Sequence, residues 1–180
     1  MPRNRRPQPK AEKRSELIAA ARELFLKDGY TATAIGRIAR AAEVTPNTVY
    51  WYFRDKDDLL IAVLNELLAE GLAEYLSVAG EPIAEQLVWL VGQLRQTREL
   101  VTTVHARLSA SPPLAEWHAN FHSTVEHLLE TQLPTALPAD TREAEATIAA
   151  FTIEGLLTHD VDDAATRQIC EALAFRWMPT

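Results

Sequence analysis

One stretch of this chain, TATAIGRIARAAEVTPNTVYWYFRDKDDLL ending at Leu60, restricts its possible folds more than any other. It predicts two short helices joined by a tight turn, with a third helix starting behind them. Thr33 is placed to N-cap the first, which runs to about Ala42 with Ile35, Ile38, Ala39 and Ala42 on one face. Glu43 and Val44 break that pattern and make the turn. Thr45 caps the second helix, and Pro46 takes its first position, where a missing N–H costs nothing. Val49 and Phe53 are four apart and point inward. Asn47, Thr48, Tyr50, Trp51 and Tyr52 are left wholly or partly outward, and Lys56 opens the next helix.

An exposed helix so rich in aromatic and hydroxyl groups has a use on double-stranded DNA. In a helix-turn-helix the first residues of the second helix reach base edges in the major groove. Asn47 suits adenine, and Thr48 suits a base edge or a thymine methyl. The hydroxyls of Tyr50 and Tyr52 suit phosphate oxygens, contacts that fix register without reading sequence. Lys56 and the backbone N–H groups around it also suit a phosphate. Arg37, on the first helix of the pair, is a further candidate.

The charge distribution agrees. The chain of 180 residues carries −7 overall, but residues 1–56 hold 12 Lys and Arg against 6 Asp and Glu, or +6. Residues 57–180 hold 6 against 19, or −13, and no lysine follows Lys56. A basic head on an acidic body steers only the head toward a polyanion. Residues 1–10, with Arg3, Arg5, Arg6 and Lys10 among three prolines, read as a disordered basic arm able to follow phosphates or enter a minor groove. No apolar segment follows the arm as in a signal peptide, and no run approaches membrane-spanning length. The single cysteine, Cys170, precludes an intramolecular disulfide and fits a reducing cytoplasm.

From about Ser15 to Leu60 the chain resembles the N-terminal domain of TetR-family transcriptional regulators. The carrying residues are Ala20-Ala21 through Phe25, Gly29-Tyr30, Thr33, Ile38-Ala39, Val44-Thr45, Thr48-Val49-Tyr50, Tyr52-Phe53, Lys56 and Leu59. The resemblance implies an all-α homodimer that leaves a pseudo-palindromic operator when a small-molecule effector binds, most often as a repressor. Two departures stand out. Glu43 replaces the usual turn glycine, so a side chain must sit in a glycine-favoured conformation. Gly36 stands where many members carry a polar residue facing DNA. These departures keep an alternative open: a helical ligand- or partner-binding dimer that reads little DNA sequence.

Helical periodicity organises the remainder. A first helix over 11–27 buries Leu17, Ile18, Ala21, Leu24 and Phe25, with Gly29 as C-cap. It completes a head of residues 11–55. Residues 56–180 form a helical ligand-binding and dimerisation body, beginning with a long helix from Lys56 to about Ser77. Further helices are expected near 82–97, 99–110, 113–132, 141–159 and 163–178. The last two are apolar on two sides and so need two covers. Ile148, Phe151, Thr152, Gly155 and Leu156 on one, with Ile169, Leu173 and Trp177 on the other, are assigned to a four-helix dimer interface.

Trp89, His105, Trp117, Phe121 and His122 are the expected pocket residues, since large aromatics with a few polar groups suit a small-molecule cavity. Tyr75, Thr102 and His118 stand beside them in the same stretch. His118 and His122 are one turn apart, but with no cysteine and no directly adjacent carboxylate they read as solvated histidines and not as a metal site. No zinc-protease, phosphate-loop or serine-elbow motif is present, and no catalytic residue or cofactor is assigned.

Overall fold

The computed structural model describes residues 10–178, which form nine helices and no strand. The basic arm expected at 1–10 therefore lies outside the described residues except for Lys10. That residue is the first of α1, Lys10–Asp28. This helix buries Leu17, Ile18, Ala21, Leu24 and Phe25, one stripe at helical spacing. Gly29 ends it with φ 80°, its N–H donating to the Phe25 carbonyl at 3.1 Å.

Next come α2, Ile35–Ala41, and α3, Pro46–Tyr52, each packed on its predecessor. The N-cap of α2 is Ala34 and no side chain caps it, which corrects the expectation for Thr33. Thr33 is fully buried, with its hydroxyl 2.8 Å from the Gly29 carbonyl and 3.3 Å from that of Leu24. Carbonyls left open at the end of α1 compete for the hydroxyl and win it. Glu43 adopts φ 52°, so the turn between α2 and α3 does carry a side chain in the left-handed region. The N–H of Val44 then reaches back to the Ala39 carbonyl at 2.8 Å.

Contacts divide the chain within α4, Lys56–Tyr75, after Leu68. The boundary expected at 55/56 thus falls further along. Leu59, Leu60 and Val63 of α4 are fully buried in the first unit and complete its core.

The second unit contains α5, Ile83–Gln96; α6, Arg98–Arg107; α7, Pro112–Gln132; α8, Ala139–Thr158; and α9, Asp163–Arg176. Helix α5 packs against both α8 and α9, while α7 packs against α6 and α8. Leu87, Val91, Ile153, Leu156, Leu173 and Trp177 belong to one core. Arg95 fastens α5 to the start of α9 by donating to the Val161 carbonyl at 2.8 Å and the Thr166 hydroxyl at 2.7 Å, and by pairing with Asp163 at 2.8 Å. Cys170 is buried in this core, and burial pushes its thiol up to about 11. Among the described residues no helix is long and apolar enough to cross a membrane.

Candidate nucleic-acid interface and effector region

Helix α3 is fixed from within and open outside. Thr45 caps it as expected: its Oγ1 accepts from the Thr48 N–H at 3.3 Å and lies 3.0 Å from the Thr48 hydroxyl. Val49 and Phe53 anchor the helix in the core. Pro46 and Asn47 are exposed, Thr48 is half-buried, and Tyr50 and Trp51 are 54% and 64% exposed. Tyr52 is half-buried and meets Trp51 edge-on at 4.7 Å. The polar tip and aromatic flank read from the sequence thus share one accessible surface.

Two cations that the sequence reading did not assign to this surface stand beside it. The Lys10 ammonium lies 4.4 Å from the centre of the Trp51 ring, and the Arg14 guanidinium 5.1 Å from that of Phe53. Both come from α1, some 40 positions away in sequence. Only the packing of α1 beside α3 reveals them, and local motif reading carries no such signal.

Three expected contacts change role. Thr33 is inside the head and cannot reach a duplex. Lys56 turns inward: its ammonium donates to the Tyr30 carbonyl at 2.8 Å and the Thr33 carbonyl at 3.0 Å, and sits 4.0 Å from the Tyr30 ring centre. Nor is the start of α4 suited to phosphate. Asp55 accepts from the Asp58 N–H, Asp58 accepts from the Arg54 N–H, and Asp57 accepts from the Tyr30 hydroxyl. Three carboxylates at a helix N-terminus satisfy the dipole themselves and repel a further anion. Arg37 is half-exposed and pairs with Asp28 at 2.7 Å, which holds it against the end of α1.

On α8 the expected dimer stripe proves to be two faces. Ala149, Ile153 and Leu156 point into the core, whereas Ile148 and Phe151 are 44% and 62% exposed, with Thr152 and Gly155 half-buried beside them. On α9, Leu173 is buried and Ile169 half-buried, and Trp177 at its C-cap is buried. Leu156, Leu173 and Trp177 are therefore withdrawn from the interface, because their own chain already covers them. Phe175 at 73% exposure, not assigned from the sequence, and Met178 at 61%, on the second apolar side of this segment, carry the outward apolar surface of this end.

The expected pocket residues are not all brought together. Trp89 lies against Tyr75, with ring centres 6.0 Å apart, and the Tyr75 hydroxyl donates to Gln86 at 2.6 Å. Trp117 and Phe121 stack on each other at 5.4 Å. His105 and His122 converge with His118 on a cleft of about 460 Å³ that is also lined by Phe151 and Glu154. The His118 Nε2 is 2.9 Å from that of His105 and 3.2 Å from that of His122. Glu154, unassigned in the sequence reading, places an oxygen 2.9 Å from His122 and 3.4 Å from His105. Burial, then the neighbouring His122 and His105, hold His118 below the ordinary imidazole range against an opposite pull from Glu154. The solvated-histidine reading is thereby corrected: α6, α7 and α8 gather these side chains, and the carboxylate comes from a helix remote in sequence.

A short capped helix, α3, behind α2 in a head completed by α1 and the start of α4, followed by an all-helical second unit, has helix-turn-helix architecture. Residues 17–63 match the family described as bacterial regulatory proteins, tetR family. The regulator HbdR of Aromatoleum sp. is 46% identical over 57 residues, covering 32% of this chain and 25% of HbdR. AcrR of Shigella flexneri is 29% identical over 170 residues, covering 81% of this chain and 77% of AcrR. The crystal structure of a transcriptional regulator from Rhodococcus sp. Rha1 shares the fold, with TM-score 0.75 and 20% identity over 91% of this chain and 95% of that one. The matched segment, residues 17–63, is thus similar to the DNA-binding domain of tetR-family regulators, and the helical fold of the whole chain is shared with a solved regulator.

Proposed function

We propose that this protein is a homodimeric, cytoplasmic repressor that binds a pseudo-palindromic DNA operator and is released by an effector bound in the helical body. The observation that carries the reading is the exposed surface of α3, where Asn47 and Thr48 lead and Tyr50 and Trp51 flank. An isolated soluble helix gains nothing by exposing two large aromatic rings, whereas a groove-binding helix uses them against sugar and phosphate. Lys10 and Arg14 add positive charge at that edge. A single short helix makes few contacts, so two heads related by a two-fold axis supply the affinity and set the half-site spacing.

The partner copy covers Ile148, Phe151, Thr152, Gly155 and Ile169, together with Phe175 and Met178. Helix α4 includes residues of both units, so a tilt of this one element changes the spacing of the heads. A coupling on the order of 1–3 kcal/mol between effector and operator is enough.

Selection of genomic fragments by the purified protein, followed by footprinting, tests the reading. A protected pseudo-palindrome is expected. On it, Asn47→Ala relaxes the preference at one base step, while Tyr50→Phe weakens specific and random DNA alike. Equal losses for both variants on both kinds of DNA would remove the assigned roles, and the absence of any protected site would remove the function.

A further inference from the structure

The geometry points to a binding site for a divalent transition-metal ion, with Zn2+ the best fit, formed by His105 of α6, His118 and His122 of α7, and Glu154 of α8. The four ligand atoms all lie within 4.8 Å of one another. Five of their separations are 2.9 Å (His105–His118), 3.2 Å (His118–His122), 2.9 Å (His122–Glu154), 3.4 Å (His105–Glu154) and 3.9 Å (His118–Glu154). Ligands bonded at 2.0–2.1 Å to a tetrahedral zinc stand roughly 3.3 Å apart. The observed edges bracket that value, so the side chains need little adjustment to close on an ion.

Protons alone explain the arrangement poorly. A ring nitrogen offers either one N–H or one in-plane lone pair. The His118 Nε2 nevertheless faces two other Nε2 atoms, and both of those also face Glu154. One hydrogen per nitrogen cannot serve all these directions, whereas a cation at the centre accepts every lone pair at once. The donor set also selects the class of ion. Three imidazoles and one carboxylate suit zinc and its transition-metal neighbours, while Mg2+ and Ca2+ prefer all-oxygen shells. His118 and His122 are one helical turn apart on a single face, and the other two ligands come from two helices that each pack against α7. The ion would therefore tie three helices together. Phe151, one turn before Glu154, lines the same cleft and also belongs to the proposed dimer face.

This placement makes the metal the effector of the regulator, an extension that rests on the DNA-binding reading, whereas the site itself does not. The experiment uses the full chain after chelator treatment. Zn2+ is titrated by calorimetry, and Co2+ by its visible d–d absorption. One ion per chain and the intense bands of tetrahedral Co2+ are expected. The double variant His118→Ala/His122→Ala should lose more than about 100-fold in affinity, beyond the 10–100-fold cost of losing an outer-shell partner alone. Glu154→Gln, which keeps size and helix, should weaken binding at least about 10-fold and shift the bands, and His127→Ala should change neither. Wild-type binding no tighter than that of the double variant, or an octahedral Co2+ spectrum, overturns the site. With selected DNA in hand, Zn2+ should change operator affinity for wild type and leave the Glu154→Gln response blunted. Tight metal binding with constant operator affinity overturns the effector role alone. Failure to select any DNA overturns the regulator reading, and calorimetry still decides the site.

Discussion

Lys56 is joined by its ammonium to two backbone carbonyls of the α1–α2 connection, and that geometry decides what its loss costs. Residues 29–33 carry carbonyls with no helical partner, and a buried polar group left without one is penalised. A charged donor spanning two of them stabilises the head by about 1.5–3 kcal/mol. Lys56→Ala should therefore lower the thermal midpoint of the free protein, with DNA absent. Differential scanning calorimetry checks this. An unchanged midpoint together with a uniform loss of DNA affinity would return Lys56 to the phosphate role that its position in the sequence suggests. Glu43 illustrates the same scale differently. Its φ of 52° was legible only through the resemblance, since Glu43 stands where the family usually places a turn glycine.

Elements were legible where their determinants are local. Thr45, Pro46 and Gly29 are caps recognised within a few positions, and the structure places each of them as read. What periodicity could not show is which apolar face meets which neighbour. In α8 the inward residues Ala149, Ile153 and Leu156 and the outward residues Ile148 and Phe151 are equally apolar. Only the position of α5 and α7 against the helix separates them. The histidine–carboxylate cluster was hidden for the same reason, since Glu154 is brought to His122 by the packing of α8 on α7 and not by any spacing along the chain. The outward face carries its own prediction. Phe151→Glu with Phe175→Glu places two charges on surface already open to solvent within the chain, so the fold should survive. Between two copies the same charges would be buried unpaired, at a cost of several kcal/mol. Sedimentation should show a dimer for wild type and a monomer with unchanged helicity for the variant. A variant that stays dimeric would move the interface elsewhere.

At the scale of the whole molecule the governing quantity is the separation of charge. A surplus of +6 lies in residues 1–56 and a deficit of −13 in the remainder. The acidic part repels DNA while the basic head attracts it, so the head sets the encounter. Three of the 12 cations in residues 1–56 precede Lys10. Arg3, Arg5 and Arg6 fall before Lys10, and removing residues 2–9 deletes those three cations without touching α1 or the residues under α3. Each phosphate contact releases counterions and adds about 0.9 to the salt slope of binding. For a dimer with both arms engaged, truncation should lower that slope by up to about 5 and reduce affinity most at low salt. Base preference within the protected site should stay as it was, because these cations read charge and not sequence. Operator titrations across a salt series, on wild type and truncated protein, measure the slope directly. If the two lines run parallel, the arm takes no part in binding, and the head must draw its electrostatic affinity from cations of α1 such as Lys10 and Arg14.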